Sequence, residues 1–251
     1  MKDELKIRIL KVLAMGWIDK SEYKAINAGI LLEHLIGKPI DTFEIPDWGN
    51  IEIKCKANNF SEFILLFCAT PDSTLFVIKN IQKTYGYPDK DIPNTKVFNT
   101  SVYGDVYQRK GNKYFKLHVD DKNKRVMVKV CLKNLTIVDN TISWSFDLLQ
   151  EKLERKLKYL LFVKAERKVV NRNLFIRYNK ATLYELRSFN HFISAIKRGY
   201  IRVTFKIGVF KGTYRYGQIY DRGTSFDINE KHIDKVFKVM EVWELGENKK
   251  T

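Results

Sequence analysis

Residues 45–56, with the sequence IPDWGNIEIKCK, hold the side-chain types that phosphate chemistry requires, at a spacing that brings them together. Side chains of a β-strand alternate between two faces, so a strand over 51–56 places Glu52 and Lys54 on one face. Asp47 lies just upstream, at the end of a turn or strand. Two carboxylates that converge beside an ammonium favour a hard cation such as Mg²⁺. The alternative is a surface strand with an ordinary Glu–Lys pair. The other face of the strand points into the core with Ile51, Ile53 and Cys55.

A divalent ion at this position would contact a scissile phosphate and lower the pKa of a water for in-line attack. Lys54 would orient that water and stabilise the charge of the transition state. Upstream, Glu33 lies within an apolar helical run, where a carboxylate is costly to bury unless it meets a partner. The alternative for Glu33 is a carboxylate on the exposed side of a helix.

Positive charge dominates the chain, which has 45 Lys and Arg against 29 Asp and Glu and a formal charge of +16. Residues 151–222 alone contain 18 Lys or Arg and five Asp or Glu, with aromatic residues interleaved. Lysine and arginine neutralise nucleic-acid phosphates, and arginine also reads guanine edges. The region therefore predicts a nucleic-acid partner. The alternative is a solvated basic surface over an aromatic core.

Several protein classes are excluded by what the sequence lacks. No apolar run approaches the ~20 residues of a membrane span, and no Gly-x-x-x-x-Gly-Lys loop for a nucleotide is present. The four histidines have no metal-ligand spacing, which argues against a zinc hydrolase. Three cysteines without a disulfide or metal pattern favour a reducing compartment, so we expect a cytoplasmic protein.

Apolar periodicity and turn residues predict a mixed α/β chain with a mostly antiparallel or mixed sheet. Helices are expected over 3–15, 21–36 (capped by Ser21 and ended by Gly37), 145–160, 181–197 and 229–238. Strands are expected over 51–56, 61–69, 160–166, 200–210 and 213–220, and residues 221–228 are expected to form a turn and a strand. Residues 58–59 are expected to form an Asn-Asn turn, 71–100 a loop with a short helix, and 101–138 an antiparallel meander.

Several of these motifs together resemble the MutH-type endonucleases of the PD-(D/E)xK nuclease superfamily. That group includes the mismatch-repair nicking enzyme and type II restriction enzymes that cut at GATC. The resemblance rests on GILLEHLIG at 29–37, on Pro46-Asp47 and on Ile51-Glu52-Ile53-Lys54. The gap of four residues between Asp47 and Glu52 is shorter than in the relatives, so we expect a tighter turn between them.

The resemblance implies a role for each matching position. It carries over as catalytic residues Glu33, Asp47, Glu52, Lys54 and Lys156, the last within the similar segment 154–163. The metal would be Mg²⁺, held by Asp47, Glu52 and the carbonyl of Ile53, with Glu33 completing the acidic cluster. Phe63 matches a family aromatic near the DNA, and Thr224 lies in a Gly-Thr-x-Phe stretch associated with base recognition.

The C-terminal hairpin supplies further candidates for contacts with DNA. We expect Arg215, Gln218 and Arg222 to contact base edges, and Lys206 and Lys211 to contact phosphates. The alternative is that half of these side chains simply decorate an exposed hairpin.

The fold implied by the resemblance is a restriction-endonuclease-like mixed sheet flanked by helices, folded as two lobes around a DNA cleft. The chain would form a single endonuclease domain. Its parts would be a catalytic core over 1–75 and 141–170, an inserted β meander over 76–140 and a DNA-recognition part over 171–251.

The function expected from this reading is Mg²⁺-dependent, sequence-specific hydrolysis of double-stranded DNA by a restriction-type enzyme, at GATC-like sites. Because the chain has one acidic motif, cutting both strands requires a homodimer or successive nicks by a monomer. Two alternatives stay open: a monomeric, MutH-like nicking enzyme of repair, and a DNA-binding module that does not cleave.

Overall fold

The structure is a computed structural model that describes residues 1–23, 25–38, 45–57 and 61–245. Within this part of the chain, no helix is long and apolar enough to cross a membrane. Its α-helices, α1 to α5, are Lys2–Ala14, Ala28–Leu35, Val77–Tyr85, Phe146–Leu157 and Phe189–Lys197. Its strands, β1 to β16, are Ile18–Asp19, Ile51–Ala57, Phe63–Cys68, Tyr87–Pro88, Lys96–Val102, Gln108–Lys110, Lys113–Asp120, Arg125–Cys131, Ile137–Asp139, Ser143–Ser145, Tyr159–Val170, Asn173–Leu186, Ile201–Val209, Ile219–Asp221, Ser225–Asn229 and Phe237–Trp243.

The chain divides into two compact units. Unit 1 comprises Met1–Ile64, Glu154–Arg187 and Phe237–Thr251, and unit 2 comprises Leu65–Leu153 and Ser188–Val236. This division differs from the parts expected from the sequence. The expected DNA-recognition part is shared between both units, because β12 and β16 belong to the sheet of unit 1.

The sheet of unit 1 has the strand order β1-β12-β11-β2, and β16 also pairs with β12. Strand β11 pairs in parallel with β2, and the long β12 returns antiparallel to β11. The parallel register aligns Ile51 with Tyr159 and Lys54 with Phe162. As a result, the strand with the predicted catalytic residues lies beside the strand that begins directly after α4.

One face of this sheet carries the core of unit 1. Helices α1 and α2 bury Leu5, Ile9 and Leu31 against sheet residues such as Ile53 and Leu161. Apolar side chains at helical spacing produce these buried helix faces, as the sequence predicted. Because side chains alternate along β2, the apolar face is covered while Glu52 and Lys54 point to the opposite side.

Unit 2 contains two antiparallel sheets. One has the order β10-β8-β7-β6, with β9 on β8, and the other has the order β3-β15-β13-β5-β4, with β14 on β13. An aromatic core supports them, in which Phe67 stacks on Phe226 with ring centroids 5.1 Å apart. Trp144 meets Phe226 edge to face and donates its indole N–H to Ala69 O at 2.9 Å.

The mixed α/β class is confirmed, as are the ranges of α1, α4, β2, β3 and β15 to within a few residues. The expected helix over 21–36 begins only at Ala28, because Asn27 rather than Ser21 caps it and accepts the N–H of Ile30. It ends where predicted, with Gly37 in the left-handed region that glycine adopts without strain. The predicted turn at 58–59 lies outside the described residues.

Five other expectations were wrong in part. The expected strand over 213–220 holds only from Ile219, and a 3₁₀ helix occupies Thr213–Arg215. Residues 181–186 form the end of strand β12 rather than the start of a helix, and only Phe189–Lys197 is helical. A 3₁₀ helix replaces the expected last α-helix at Glu230–Lys235, and strand β16 follows it. Residues 71–100 include the start of β5 as well as α3. The expected meander holds for β6, β7 and β8 but not for 103–107, which form no strand.

Candidate active site

A tight turn brings Asp47 and Glu52 to the same end of β2. Trp48 and Ile51 form an antiparallel bridge, with N–H to O distances of 2.9 and 3.0 Å. Gly49 has a φ of 63° at the first central position of this turn, which is typical of a type II′ turn and needs glycine. The short Asp-to-Glu spacing is therefore closed by a two-residue turn, as the sequence predicted.

Glu52 is the most unusual carboxylate of unit 1, since only 1% of its side chain is exposed. Its Oε1 lies 2.5 Å from Lys54 Nζ and 3.5 Å from Lys156 Nζ. Its Oε2 is buried without a hydrogen-bond partner. Burial raises the pKa of Glu52, the charge of Asp47 adds to this rise, and the two ammonium groups oppose it. A buried carboxylate with one oxygen that lacks a hydrogen bond is unfavourable in free energy unless a cation binds that oxygen.

Asp47 is held by the backbone and by a lysine that the sequence did not single out. Its Oδ2 accepts the N–H of Ile53 at 2.8 Å, and its Oδ1 lies 2.9 Å from Lys38 Nζ. Both side chains are largely buried, with 7% of Lys38 and 15% of Asp47 exposed. Lys38 directly follows Gly37 at the end of α2, so the helix end delivers this cation to the site.

Lys156 reaches Glu52 because of the strand pairing. It lies in the last turn of α4, and the chain enters β11 three residues later, beside the beginning of β2. The structure thus brings together four of the five predicted catalytic residues, namely Asp47, Glu52, Lys54 and Lys156.

Glu33 is placed differently. Its negative charge contributes, after burial, to raising the pKa of Cys55 to about 12. Cys55 packs with the apolar core on the α2 side of the sheet, whereas Glu52 points to the other side. Within the described residues, no group of three or more His, Cys, Asp or Glu side chains is arranged to hold a metal. The expectation that Glu33 completes the acidic cluster as a ligand stays a prediction.

Comparison with known families identifies the chain. The model of the MvaI/BcnI restriction endonuclease family matches residues 7–237, which is most of the sequence. The chain belongs to this family. Members of the MvaI/BcnI family are type II restriction enzymes, so the chain is a restriction endonuclease, as expected.

Two solved structures support the assignment. A complex described as restriction endonuclease MvaI with cognate DNA substrate is similar with a TM-score of 0.85 and 28% identity, over 94% of this chain and 96% of that one. The structure of MvaI in the absence of DNA matches with a TM-score of 0.62 and 29% identity, over 96% and 97%. No curated protein sequence matches significantly. MutH-type membership and GATC specificity are not confirmed, because the matching family is MvaI/BcnI.

Three residues predicted to read bases lie on exposed positions of unit 2. The guanidinium of Arg215 stacks on the ring of Tyr214 at 5.0 Å, and that of Arg222 lies 5.7 Å from the ring of Tyr220. Gln218 is also exposed, and its backbone closes the turn by donating to Arg215 O. These side chains are therefore accessible, and their contacts with bases stay a prediction.

The remaining DNA candidates are less accessible. Lys206 is half-buried in β13, and Lys211 forms ion pairs with Asp91 and, at 3.2 Å, with Asp89. Thr224 is fully buried, with its backbone O bound to Ala69 N, so its hydroxyl is not at the surface for DNA. Phe63 is half-buried at the start of β3. The burial of Thr224 contradicts its predicted role in this conformation.

Lys38 is the site residue that sequence reasoning missed. The signal available was a basic residue immediately after the helix stop Gly37, inside the GILLEHLIGK stretch. Nothing local in this stretch indicates that its side chain turns towards Asp47, which lies nine residues further along the chain.

Proposed function

We propose that the chain is a Mg²⁺-dependent endonuclease that binds double-stranded DNA in a sequence-specific manner and hydrolyses its phosphodiester bonds. The observation that carries the proposal is the buried Glu52 carboxylate, which has one orphan oxygen and lies beside Asp47 and two lysines. Membership of the restriction endonuclease family supports the reaction class, and the similarity to the MvaI–DNA complex supports the substrate.

The donor set fits a small hard cation. Asp47, Glu52 and the backbone carbonyl of Ile53 offer oxygen atoms only, and Mg²⁺ prefers one or two carboxylates while it keeps several waters. Such an ion would satisfy Oε2 of Glu52, which has no hydrogen-bond partner. Held there, a divalent cation supplies positive charge against the charge that develops on the scissile phosphate.

The residues of the chain have separate tasks in this reaction. A water oxygen attacks phosphorus in line, the bond from phosphorus to the 3′ oxygen breaks, and the products are a 5′-phosphate and a 3′-hydroxyl. Lys54 donates hydrogen bonds that orient the attacking water and stabilise the phosphate oxygens. Lys156 adds a second positive charge at the same carboxylate. The water proton leaves to solvent, and solvent protonates the 3′ oxygen.

Lys38 holds Asp47 before substrate and metal arrive. Its ammonium and the Ile53 N–H fix both oxygens of that carboxylate, which keeps the rotamer ordered. For Asp47 to bind the metal ion, the Lys38 ammonium would have to release its contact with one carboxylate oxygen of Asp47. Glu33, whose charge lies near Cys55, would complete the acidic cluster.

Plasmid cleavage tests the proposal directly. Purified protein is incubated with supercoiled plasmid in Mg²⁺, and a parallel sample contains EDTA. Linear product in Mg²⁺ alone is the expected result, and open circles alone would indicate the nicking alternative. DNA retention without any cut would support the binding module and contradict the proposal. The expected GATC-like target is a further prediction, which is tested when the ends of a digested genome are sequenced.

Oligomeric state is part of the same question. One active site cuts one strand, so a double-strand break requires a second copy or a second cut by the same molecule. Light scattering of the protein on a duplex that contains the mapped site distinguishes these two arrangements, since a homodimer doubles the bound mass.

A further inference from the structure

The catalytic face of the sheet in unit 1 continues into a long basic arm. Strands β11 and β12 pair from Tyr159 with Glu185 to Val170 with Asn173, with one register shift between Lys164 and Ala165 that leaves Asn179 of β12 without an aligned residue. Strand β2 accompanies β11 only as far as Ala165. The arm, defined here as residues 164–180, has one acidic residue, Glu166, and six basic ones: Lys164, Arg167, Lys168, Arg172, Arg177 and Lys180.

The register shows which of these cations share a face with the active site. Lys54 is aligned with Phe162, and Lys56 is aligned with Lys164. Aligned residues of paired strands point to the same side, and the side alternates with each residue. Lys164 and Lys168 of β11 therefore continue the face of Glu52 and Lys54. Their partners on β12 add Lys180 opposite Lys164 and Arg177 opposite Glu166.

An indole ring orders the cations at the middle of the arm. Lys168 Nζ lies 4.4 Å from the ring centre of Trp17, and the Arg177 guanidinium lies 4.9 Å from it. Arg177 also pairs with Glu166 at 2.6 Å. A lysine that is already held over an aromatic ring loses less side-chain entropy when it binds a phosphate.

The tip of the arm contains a residue in a strained conformation. Asn171 and Arg172 form the two-residue loop, with φ values of 50° and 69°. Such a loop usually places glycine at its second position, because an L side chain is disfavoured there. An exposed arginine is found at this position instead. The positive φ of Arg172 lowers the stability of the fold, and the positive charge that it places at the tip is a reason for its presence there.

The length of the arm fits duplex DNA beyond the site of cleavage. Eight residues separate Phe162, beside Lys54, from Val170 at the tip. At about 3.3 Å per residue, these eight residues span roughly 26 Å. A DNA duplex has one phosphate charge per ~1.7 Å of its axis when both strands are counted, so this length corresponds to about eight base pairs.

We infer that the arm is a second DNA-contacting surface, which binds the phosphate backbone of the duplex flanking the scissile bond. This inference rests on the proposed function, since it assigns the partner of the same catalytic face. The phosphates flanking the cut would contact Lys168 and Arg172, while the catalytic residues engage the scissile phosphate itself. The arm thereby raises affinity for long DNA without reading its sequence.

Duplex length and salt test this surface. Binding is measured in EDTA on two duplexes centred on the mapped cut site, one extending 4 base pairs to each side and the other 15. Lys168→Gln and Arg172→Gly are each expected to weaken binding of the long duplex by roughly two- to fivefold. Each is also expected to reduce the magnitude of the slope of log K against log salt concentration by about 0.9. Affinity for the short duplex stays at the wild-type value.

Two controls separate charge from structure. Lys168→Arg keeps the charge over Trp17 and retains long-duplex affinity. Lys11→Gln removes an exposed lysine from α1, which packs on the opposite face of the sheet, and changes neither duplex. Arg172→Gly relieves the backbone, so its melting temperature equals or exceeds that of the wild type.

Wild-type affinity and salt slope in both variants on the long duplex would overturn the inference. Equal losses on the short and long duplexes would also overturn it, since they would indicate a general structural effect. Failure of the proposed function has a different signature, in which the wild-type protein does not cut plasmid in Mg²⁺, whether or not it binds the duplexes.

Discussion

Two buried carboxylates, Glu52 in unit 1 and Asp227 in unit 2, have opposite surroundings. Both have an oxygen without a hydrogen-bond partner, and 1% and 7% of their side chains are exposed. Asp227 Oδ2 accepts the Thr204 hydroxyl at 2.7 Å and pairs with Arg202 Nε at 3.2 Å. Glu52 has flexible lysines as partners and the like charge of Asp47 nearby.

Under the proposed function, the difference separates a carboxylate that stabilises the fold from one that binds a ligand. Arginine presents several donors in a rigid plane and is suited to a permanent buried pair. Arg202 also reaches the Tyr103 hydroxyl, which ties Asp227 into the sheet of β13 and β15. Lysines at Glu52 have three rotatable donors each and yield more readily when a cation or a phosphate arrives.

The largest expected effect is on catalysis. Asp47→Ala and Lys54→Ala are each expected to lower the rate of plasmid cleavage by roughly 10³-fold or more, because each removes charge from the position of the transition state. DNA affinity in EDTA stays within about twofold, since phosphate contacts elsewhere supply most of it. Lys11→Ala serves as the matched control. Cleavage at the wild-type rate by Lys54→Ala would remove that residue from the mechanism.

A loss of stability is expected at the other carboxylate. Asp227→Asn removes the buried negative charge that pairs with Arg202 and should lower the free energy of unfolding by about 3 kcal/mol. Cleavage per folded molecule is unchanged. Urea denaturation measures the effect, and Asp234→Asn, an exposed aspartate paired with Lys235, is the control with little change. A stable Asp227→Asn protein that fails to cleave would contradict this assignment, because it would show that Asp227 is needed for cleavage rather than for stability.

Base recognition provides an intermediate effect within unit 2. Arg222→Ala should weaken binding to the recognised sequence by about 1–3 kcal/mol if its guanidinium contacts a base. Lys211→Ala should have a smaller effect, because Asp89 and Asp91 already neutralise that lysine. Competition binding with matched and single-base-changed duplexes measures both. Unchanged site preference in Arg222→Ala would contradict its assignment.

The smallest expected effect is a gain of stability at Glu52. Because its pKa is raised in the folded protein, the charged form costs folding free energy above its usual pKa. In EDTA, Glu52→Gln should therefore be more stable than the wild type at neutral pH by up to about 1 kcal/mol. In Mg²⁺, the variant should not cleave. Stability of the wild type should fall as pH rises from about 4.5 through the raised pKa, and the variant lacks this decrease. Lower stability of Glu52→Gln at pH 7 would show that its lysine pairs outweigh its burial.

Local sequence predicted the parts of the fold that depend on neighbouring residues. Helix α1 and strand β2 follow from apolar spacing, and the turn between Asp47 and Glu52 follows from the short gap and its glycine. The segment ATLYEL at 181–186 was predicted wrongly as a helix, because its apolar residues suit either period. Pairing with β11 on one side and with β16 on the other makes it a central strand.

For the candidate site, too, the sequence predicted the residues that are close together in the chain. Asp47, Glu52 and Lys54 lie within eight residues of one another, and the resemblance supplied Lys156. The position of Glu33 and the ion pair of Lys38 with Asp47 depend on how α2 packs against the sheet. Likewise, the burial of Thr224 depends on strands of unit 2 that are distant in sequence.

The sequence by itself determined that Glu52 and Lys54 share one side of a strand with Asp47 just upstream, since the two-residue repeat of an extended chain fixes which side chains are neighbours. Only the tertiary structure decided that Lys156 and the basic arm join them. Strands β2 and β11 pair in parallel although about a hundred residues of chain separate them. Its register is set by burial of the apolar face under α1 and α2, which no local pattern specifies.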